Sequence, residues 1–169
     1  MFNKNLSTTH KLTISALTIA LYVVVMMLTQ SFAFGQYQIR IATALYGLSA
    51  IFPFLIVPMA IANIISNTIM GGLGPLDIIG GGCVGFISAS LIVLVQRFKL
   101  NKALIGVIIT LVPGLGVPLW LSYLLHLPYV VLAMSLVVGQ IIPGIVGTAL
   151  VVALEKRSST VGAWRENKA

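Results

Sequence analysis

The scarcity of charge along the middle of this chain constrains its fold more than any other feature. Between Leu12 and Leu154 only five side chains are charged, namely Arg40, Asp77, Arg97, Lys99 and Lys102. A soluble domain typically has about 25% charged residues, whereas this chain has 8%, together with 59% hydrophobic residues. Such a chain cannot cover itself with a polar surface, so lipid must cover it. The sequence therefore predicts an all-α integral membrane protein.

Six apolar segments predict a bundle of six transmembrane helices, since a helix needs about 20 apolar residues to cross a bilayer. The segments are 12–34, 42–52, 54–70, 78–95, 103–125 and 129–154. The second is short and extends back toward Ile39, and with the third it could instead form one re-entrant pair. Pro113 to Pro118 interrupts the fifth. We expect a single six-helix domain over 1–157 and a polar tail over 158–169.

The lysines and arginines predict the orientation of this bundle. With six spans, both termini and the connection at 97–102 share one side of the membrane. Nine of the ten basic residues lie there, and Arg40 alone lies on the opposite side. Cytoplasmic segments carry the excess of Lys and Arg in membrane proteins. We therefore expect a multi-pass protein of a bacterial cell membrane with both termini in the cytoplasm.

Several classes of function are disfavoured by what the sequence lacks. The net charge of +7 forms no basic stripe interleaved with aromatics, which argues against nucleic-acid binding. His10 and His126 lie far apart, and no P-loop or Ser/His/Asp set is available. We expect neither catalysis nor a metal or other cofactor. Cys83, the single cysteine, excludes a disulfide within the chain, and we expect it to be a buried thiol.

Uncharged polar residues accompany Arg40 and Asp77 in or near the predicted outer connections. Asn63 and Asn67 are four residues apart and hence share one helical face. Two interpretations stay open for these groups: structural partners, as an Arg40–Asp77 pair and an Asn63 bonded to another helix, or a shared ligand cavity. For Gln140, deeper in the last helix, we expect interhelical hydrogen bonding. The candidate site comprises Gln36, Tyr37, Gln38, Arg40, Asn63, Asn67 and Asp77.

Small residues recur at a spacing of four on two of the predicted helices. Ala16 and Ala20 form one pair on the first helix, and Gly81 and Gly85 form another on the fourth. Such spacing lets helix backbones approach closely. Internal packing explains either pair, and the alanine pair could also receive a partner protein.

These motifs together resemble a known family. Residues 16–20, Ala-Leu-Thr-Ile-Ala, resemble the Ala-xxx-Ala signature of the substrate-binding (S) components of energy-coupling factor (ECF) transporters. Gln-Ile-Arg-Ile at 38–41, Ala-Asn at 62–63, and Gly-Gly-Leu-Gly at 71–74 with Asp77 resemble the QueT family of such components. The resemblance covers roughly residues 12–155. It implies six helices, cytoplasmic termini and an outward-facing site for a vitamin-type solute.

The resemblance also implies partners and a substrate. The partners would be a transmembrane coupling protein, which docks on Ala16 and Ala20, and two cytoplasmic ATPase subunits. The substrate would be a queuosine precursor of the 7-deazaguanine type. Asp77 would accept the N–H groups of its guanine-like edge. Asn63, Asn67, Gln38 and Arg40 would address the other polar atoms, and Tyr37 would stack on the ring. The family's Ser-Glu-Ala after the arginine is replaced here, so that Thr43 stands in place of the Glu.

Two other classes of function compete with this one. A stand-alone secondary transporter of a small nucleobase-like or aromatic solute needs an intramembrane carboxylate for proton coupling. Only Asp77 is available, and its predicted place near an interface counts against that class. A membrane scaffold without a ligand is disfavoured by the clustered polar residues. Copurification with ATPase subunits would separate the first hypothesis from both alternatives.

Overall fold

The computed structural model describes the backbone of residues 6–35, 37–70 and 73–166, and the side chains as far as residue 157. This part of the chain is helical and contains no strand. Its elements are α1 (Thr8–Leu28), α2 (Gln30–Ala33), the 3₁₀ helices η1 (Ile41–Ala50) and η2 (Pro53–Leu55), α3 (Ile56–Ile69), α4 (Pro75–Arg97), α5 (Ala103–Gly116), α6 (Pro118–Leu125) and α7 (Tyr129–Glu166).

Four helical stretches of the described chain are long and apolar enough to cross a membrane. They are Thr8–Leu28, Pro75–Arg97, Ala103–Leu125 and Tyr129–Arg157. The chain is therefore a multi-pass membrane protein. The second and third predicted segments form the shorter apolar helices Ile41–Ala50 and Pro53–Ile69. A ten-residue 3₁₀ helix rises about 20 Å, less than the hydrocarbon thickness of about 30 Å. The count of six full spans and the side of each terminus stay predictions.

Side-chain contacts fix the relative direction of the central elements. Arg40, at the start of η1, bonds to Asn67 near the end of α3, whereas Tyr46, further along η1, bonds to Asn63, earlier in α3. The two elements are therefore antiparallel. Arg40 and Asn67 lie toward one end of the bundle. Toward the other end, Glu155 of α7 accepts hydrogen bonds from the end of α4 and the start of α5.

Two glycines of α4 allow it to pack closely against α3. A Cβ at Gly81 would lie 2.5 Å from Asn67 Nδ2, and one at Gly85 would lie 2.6 Å from Asn63 Nδ2. Both distances are shorter than any ordinary contact, so the amides occupy the space that side chains at these positions would need. The pair predicted from the sequence as an internal packing motif has that role in the structure.

The short helix η1 lies in the middle of the fold. Seven of its ten residues are buried, against α1, α4 and α7. η1 can occupy this position because small side chains allow its backbone and those of the neighbouring helices to approach closely. A Cβ at Gly47, for example, would lie 2.9 Å from the carbonyl oxygen of Gly147 on α7. A longer, bulkier helix would not fit between the three surrounding ones.

The structure narrows one predicted interruption and corrects two other expectations. In the fifth apolar segment, α5 continues through Pro113 to Gly116, Val117 keeps helical dihedral angles and Pro118 begins α6, so the predicted interruption at 113–118 is confined to Val117. Asp77 was expected in a connection, but it lies in the first turn of α4, because that helix begins at Pro75, after Gly74 with its φ of +94°. Cys83 was expected to be buried, but it is exposed on the lipid-facing side of α4.

The glycine contacts of α4 generate a stability prediction. Replacing Gly85 with Ala should lower the free energy of unfolding by about 1–3 kcal/mol, because the new methyl group overlaps the Asn63 amide. Equilibrium unfolding of the detergent-purified protein in increasing SDS measures the change. Cys83→Val, two residues away on the exposed side of the same helix, is the matched control and should stay near wild type. Equal effects of the two variants would contradict the packing role of Gly85.

Candidate functional site

Polar side chains from five elements form two neighbouring hydrogen-bonded groups, one around each asparagine of α3. We call the two groups together the polar cluster; its members are Tyr22, Arg40, Tyr46, Asn63, Asn67, Asp77 and Trp120, of which only Trp120 is half-buried and the others are buried. The two asparagines of α3 lie at its centre and both are at least 98% buried. Polar groups in an apolar interior require hydrogen-bond partners. The cluster is therefore the place where the bundle concentrates its buried polar groups.

Asn67 joins the two charged members of the cluster. Its Oδ1 accepts a hydrogen bond from Arg40 Nη1 at 3.3 Å, and its Nδ2 donates to the backbone oxygen of Asp77 at 3.0 Å. Arg40 and Asp77 do not form a direct ion pair with each other; both contact Asn67 instead. The predicted structural pair is thus replaced by an amide that contacts both residues.

Arg40 is buried with part of its hydrogen-bonding capacity unused. The residue is 4% exposed, and its guanidinium carbon lies 4.8 Å from the centre of the Phe34 ring. Its Nε–H is buried and has no hydrogen-bond partner in the described part of the chain. Guanidinium donors pair well with carbonyl and carboxylate oxygens. Arg40 therefore offers a donor to any acceptor that enters the cluster.

Asp77 presents a carboxylate that is bonded but not saturated. Oδ1 accepts from Trp120 Nε1 at 2.9 Å, and Oδ2 accepts from the Leu73 amide at a long 3.4 Å. A carboxylate has about four acceptor positions, so acceptor capacity is left on both oxygens. Trp120 lies on α6, and its ring packs so closely on Gly80 that a Cβ at Gly80 would lie 2.8 Å from the ring.

Asn63 has its amide oxygen fully engaged by protein groups. The hydroxyls of Tyr22 and Tyr46 both donate to its Oδ1 at 3.0 Å, and its Nδ2 donates to the Met59 carbonyl at 2.8 Å. The two tyrosine rings stack with their centres 6.1 Å apart. Bonding to other helices, one of the two interpretations left open by the sequence, therefore describes Asn63 here.

The three predicted site residues before Arg40 are not members of the polar cluster. Gln36 lies outside the described residues. Tyr37 is 49% exposed and is not part of the polar cluster. Gln38 has a φ of +43°, and its backbone oxygen accepts from Gln140 Nε2 at 2.8 Å. Gln140 Oε1 also accepts from Thr43 of η1 at 2.9 Å, and this second contact confirms the expected interhelical role of Gln140.

Thr43, which stands where the family pattern has Glu, is engaged within the protein. Its hydroxyl makes a bifurcated hydrogen bond to the Arg40 carbonyl at 2.7 Å and to Gln140 Oε1 at 2.9 Å. The residue is 1% exposed. Thr43 therefore holds the start of η1 against α7, next to Arg40, and adds no charge.

Three members of the polar cluster were missed by sequence reasoning, namely Tyr22, Tyr46 and Trp120. Each carries one polar group on a largely apolar ring, and such groups usually find a partner when buried. That rule would have marked Tyr22 and Tyr46, which stand within long apolar segments. Trp120 lies three residues after Val117, and the interruption between α5 and α6 was the available signal for it.

The predicted docking residues occupy the opposite surface of α1 from the polar cluster. Ala16 and Ala20 are exposed, whereas Thr18, Tyr22 and Met26 form the buried side of the helix. The alanine pair is therefore not used for packing within this chain, and it leaves a surface of low relief that another protein can approach.

Comparison with known proteins gives one result. A family model described as QueT transporter matches residues 12–156, which is most of the chain. No curated protein and no solved structure gives a significant match.

The shared acceptor on Asn63 generates a prediction about cooperativity. Tyr22→Phe or Tyr46→Phe alone should cost about 0.6 kcal/mol of unfolding free energy, the typical value for a hydrogen bond inside a membrane protein. The double variant should cost about 1–3 kcal/mol beyond the sum, because it leaves the buried oxygen without a donor. A double-mutant cycle in SDS unfolding measures this coupling.

The stacked rings stay in every variant of this cycle, so the hydroxyls alone are tested. Tyr123→Phe is the control, because Tyr123 is 72% exposed and should lose nothing measurable. Strict additivity of the two single effects would show that the tyrosines do not share one acceptor.

Proposed function

Because the chain belongs to the QueT transporter family, we propose that it is the substrate-binding subunit of an ECF-type importer in a bacterial cell membrane. As a member of this family it is a membrane transporter with a small-molecule substrate. In the proposal, the chain captures a small planar nutrient, a queuosine precursor of the 7-deazaguanine type. Other subunits hydrolyse the ATP that drives uptake.

The observation that carries the proposal is the arrangement of Arg40 and Asp77 on either side of Asn67. Arg40 has an unpartnered buried donor, and Asp77 has unused acceptor positions. A guanine-like edge carries a carbonyl acceptor beside ring and amino N–H donors. Arg40 would donate to that carbonyl, and Asp77 would accept from the N–H groups in bidentate fashion.

Trp120 would change partner when such a ligand binds. Its indole N–H donates to Asp77 Oδ1 in this structure, so it competes with the N–H groups of the ligand for the same oxygen. We propose that ligand binding releases Trp120 from Asp77 and leaves its ring available to stack on the base. Tyr37, exposed at the same end of the bundle, is the second aromatic side chain in reach of an entering ligand.

The remaining predicted residues have supporting roles in this proposal. Asn67 holds the Arg40 side chain and the backbone of Asp77, and Asn63 fixes α3 through the two tyrosines. Gln36 and Gln38 belong to the segment that leads to Arg40. Thr43 carries no charge, so Asp77 supplies the carboxylate of the site.

Coupling to ATP hydrolysis is assigned in the proposal to the exposed face of α1. Ala16 and Ala20 would receive the transmembrane coupling protein, because small residues allow close approach between helices in lipid. Two cytoplasmic ATPase subunits would complete the importer. Both termini, and the basic residues near them, would lie on the cytoplasmic side.

Ligand binding to the detergent-purified chain tests the substrate. We expect a queuine-type deazaguanine to bind more tightly than guanine, riboflavin or tryptophan. Asp77→Asn and Arg40→Gln should each weaken binding about 10- to 100-fold, as expected for the loss of hydrogen bonds to charged groups. The chain has two tryptophans, so in a Trp164→Phe background the fluorescence of Trp120 should change on binding.

Glu155→Gln and Arg97→Gln are the matched controls, because they neutralise the same charges at the other end of the bundle and should leave affinity unchanged. Tight binding of a different compound would overturn the deazaguanine assignment and keep the subunit assignment. Failure of every compound to bind, without a copurifying coupling protein, would overturn both.

Docking generates a separate prediction. Ala16→Leu combined with Ala20→Leu should abolish copurification of the coupling protein and the ATPase subunits, because the leucines hold the partner helix away. Ligand binding should stay at its wild-type level. Ala153→Leu, at an exposed small residue of α7, is the control. Substrate uptake by cells that lack the ATPase subunits would instead identify a stand-alone secondary transporter.

A further inference from the structure

A groove of about 690 Å³ runs along the outside of the bundle between α5 and α7. Its walls are residues of 103–111 on α5 and of 141–152 on α7. The helices touch at its floor, where a Cβ at Gly106 would lie 3.0 Å from the Gly144 carbonyl oxygen. The groove is separate from the polar cluster, since none of the members of that cluster lines it.

The groove is apolar even though two threonines line it. The Thr110 hydroxyl donates to the Gln140 carbonyl at 3.1 Å, and the Thr148 hydroxyl donates to the Gly144 carbonyl at 2.9 Å. Both hydroxyls thus have a hydrogen-bond acceptor within the protein and do not need a polar partner in the groove. Its occupant must therefore be a hydrocarbon surface.

The length of the groove indicates what kind of hydrocarbon fits. At 1.5 Å per residue, the α5 wall is about 12 Å long and the α7 wall is about 16 Å long. One leaflet of a bilayer has a hydrocarbon depth of about 15 Å, half of the total. A transmembrane helix of a partner would span both leaflets, whereas this groove fits the acyl chain of a lipid in one of them.

Positive charge surrounds one mouth of the groove. Lys102 immediately precedes the α5 wall, and Glu155 lies one turn beyond the α7 wall. These two residues form an ion pair, and Gln96 Nε2 also donates to Glu155 at 2.7 Å. The Lys102 side chain is 45% exposed, and its ammonium has three donors. The exposed Arg97 and Lys99 add charge that Glu155 does not balance.

We propose that this groove is a binding site for an anionic glycerophospholipid. One acyl chain lies between α5 and α7, and the phosphate of the headgroup bonds to Lys102 and is attracted by Arg97 and Lys99. Basic pockets between transmembrane helices bind anionic headgroups in this way. The site belongs to the leaflet on the basic side of the protein, and it does not depend on the identity of the transported solute.

Native mass spectrometry of the detergent-purified full chain tests the site, with phosphatidylglycerol and phosphatidylcholine of identical acyl chains as probes. We expect phosphatidylglycerol to bind at least about fivefold more tightly, the contribution of about one cation near a headgroup. Lys102→Gln should remove this preference, and Lys102→Arg should restore it. Lys11→Gln is the control, because it removes an exposed lysine of α1 and should change nothing.

The apolar part of the site is tested by filling it. Ala149→Phe places a ring in the groove and should reduce the binding of both lipids, whereas Val138→Phe, at an exposed position of α7 outside the groove, should not. Equal affinity of the wild type for the two lipids, or equal effects of the two phenylalanines, would overturn the proposal. Loss of self-association in Ala149→Phe with lipid binding intact would assign the groove to a second copy of the chain. If Ala149→Phe does not fold, the two Lys102 variants still decide the matter.

Discussion

The architecture depends on the requirement that two amides within a lipid-covered bundle find hydrogen-bond partners. Asn63 and Asn67 lie on consecutive turns of α3 and share one face of that helix. A polar group without a hydrogen-bond partner is costly in the buried interior. Their partners come from α1, η1 and α4, so satisfying them positions three other elements around α3. The glycines of α4 make this arrangement possible, because only a backbone without side chains can approach both amides closely. Packing and polar satisfaction thus select the same arrangement.

The two asparagines divide the polar cluster into parts with different properties. Around Asn63 the amide oxygen has both of its acceptor positions filled by tyrosine hydroxyls. Around Asn67 the partners are a guanidinium with an unused N–H and the backbone of a residue whose carboxylate has spare acceptor positions. One helical turn therefore separates a closed network from one that can still bind. The closed part gives the open part a fixed base, which is what recognition of a small rigid solute requires.

The sequence was sufficient to predict the helical membrane class, the break near Pro118 and the meeting of Arg40, Asn67 and Asp77. Periodicity and charge carry this information, because lipid requires long apolar helices and excludes isolated polar groups. The partners Tyr22, Tyr46 and Trp120 were not predictable in the same way. Which side of a helix faces which neighbour depends on its tilt and rotation, and these are set by packing. Hydropathy also does not distinguish an α-helix from a 3₁₀ helix, so the residues of η1 were expected as a short span or as half of a re-entrant pair, without the 3₁₀ geometry.

The buried guanidinium of Arg40 is a feature of the fold that packing alone does not account for. A buried donor without a partner costs about 1–3 kcal/mol, and an apolar residue of similar volume would avoid that cost. Arg40 is nevertheless held in place, because the Thr43 hydroxyl donates to the backbone oxygen of Arg40 and the Phe34 ring lies against its guanidinium. In the proposed function, the carbonyl oxygen of the solute would reach Nε and remove this cost. The cost of the unpartnered donor would then add to the affinity, and the protein with its solute would be more stable than the protein alone.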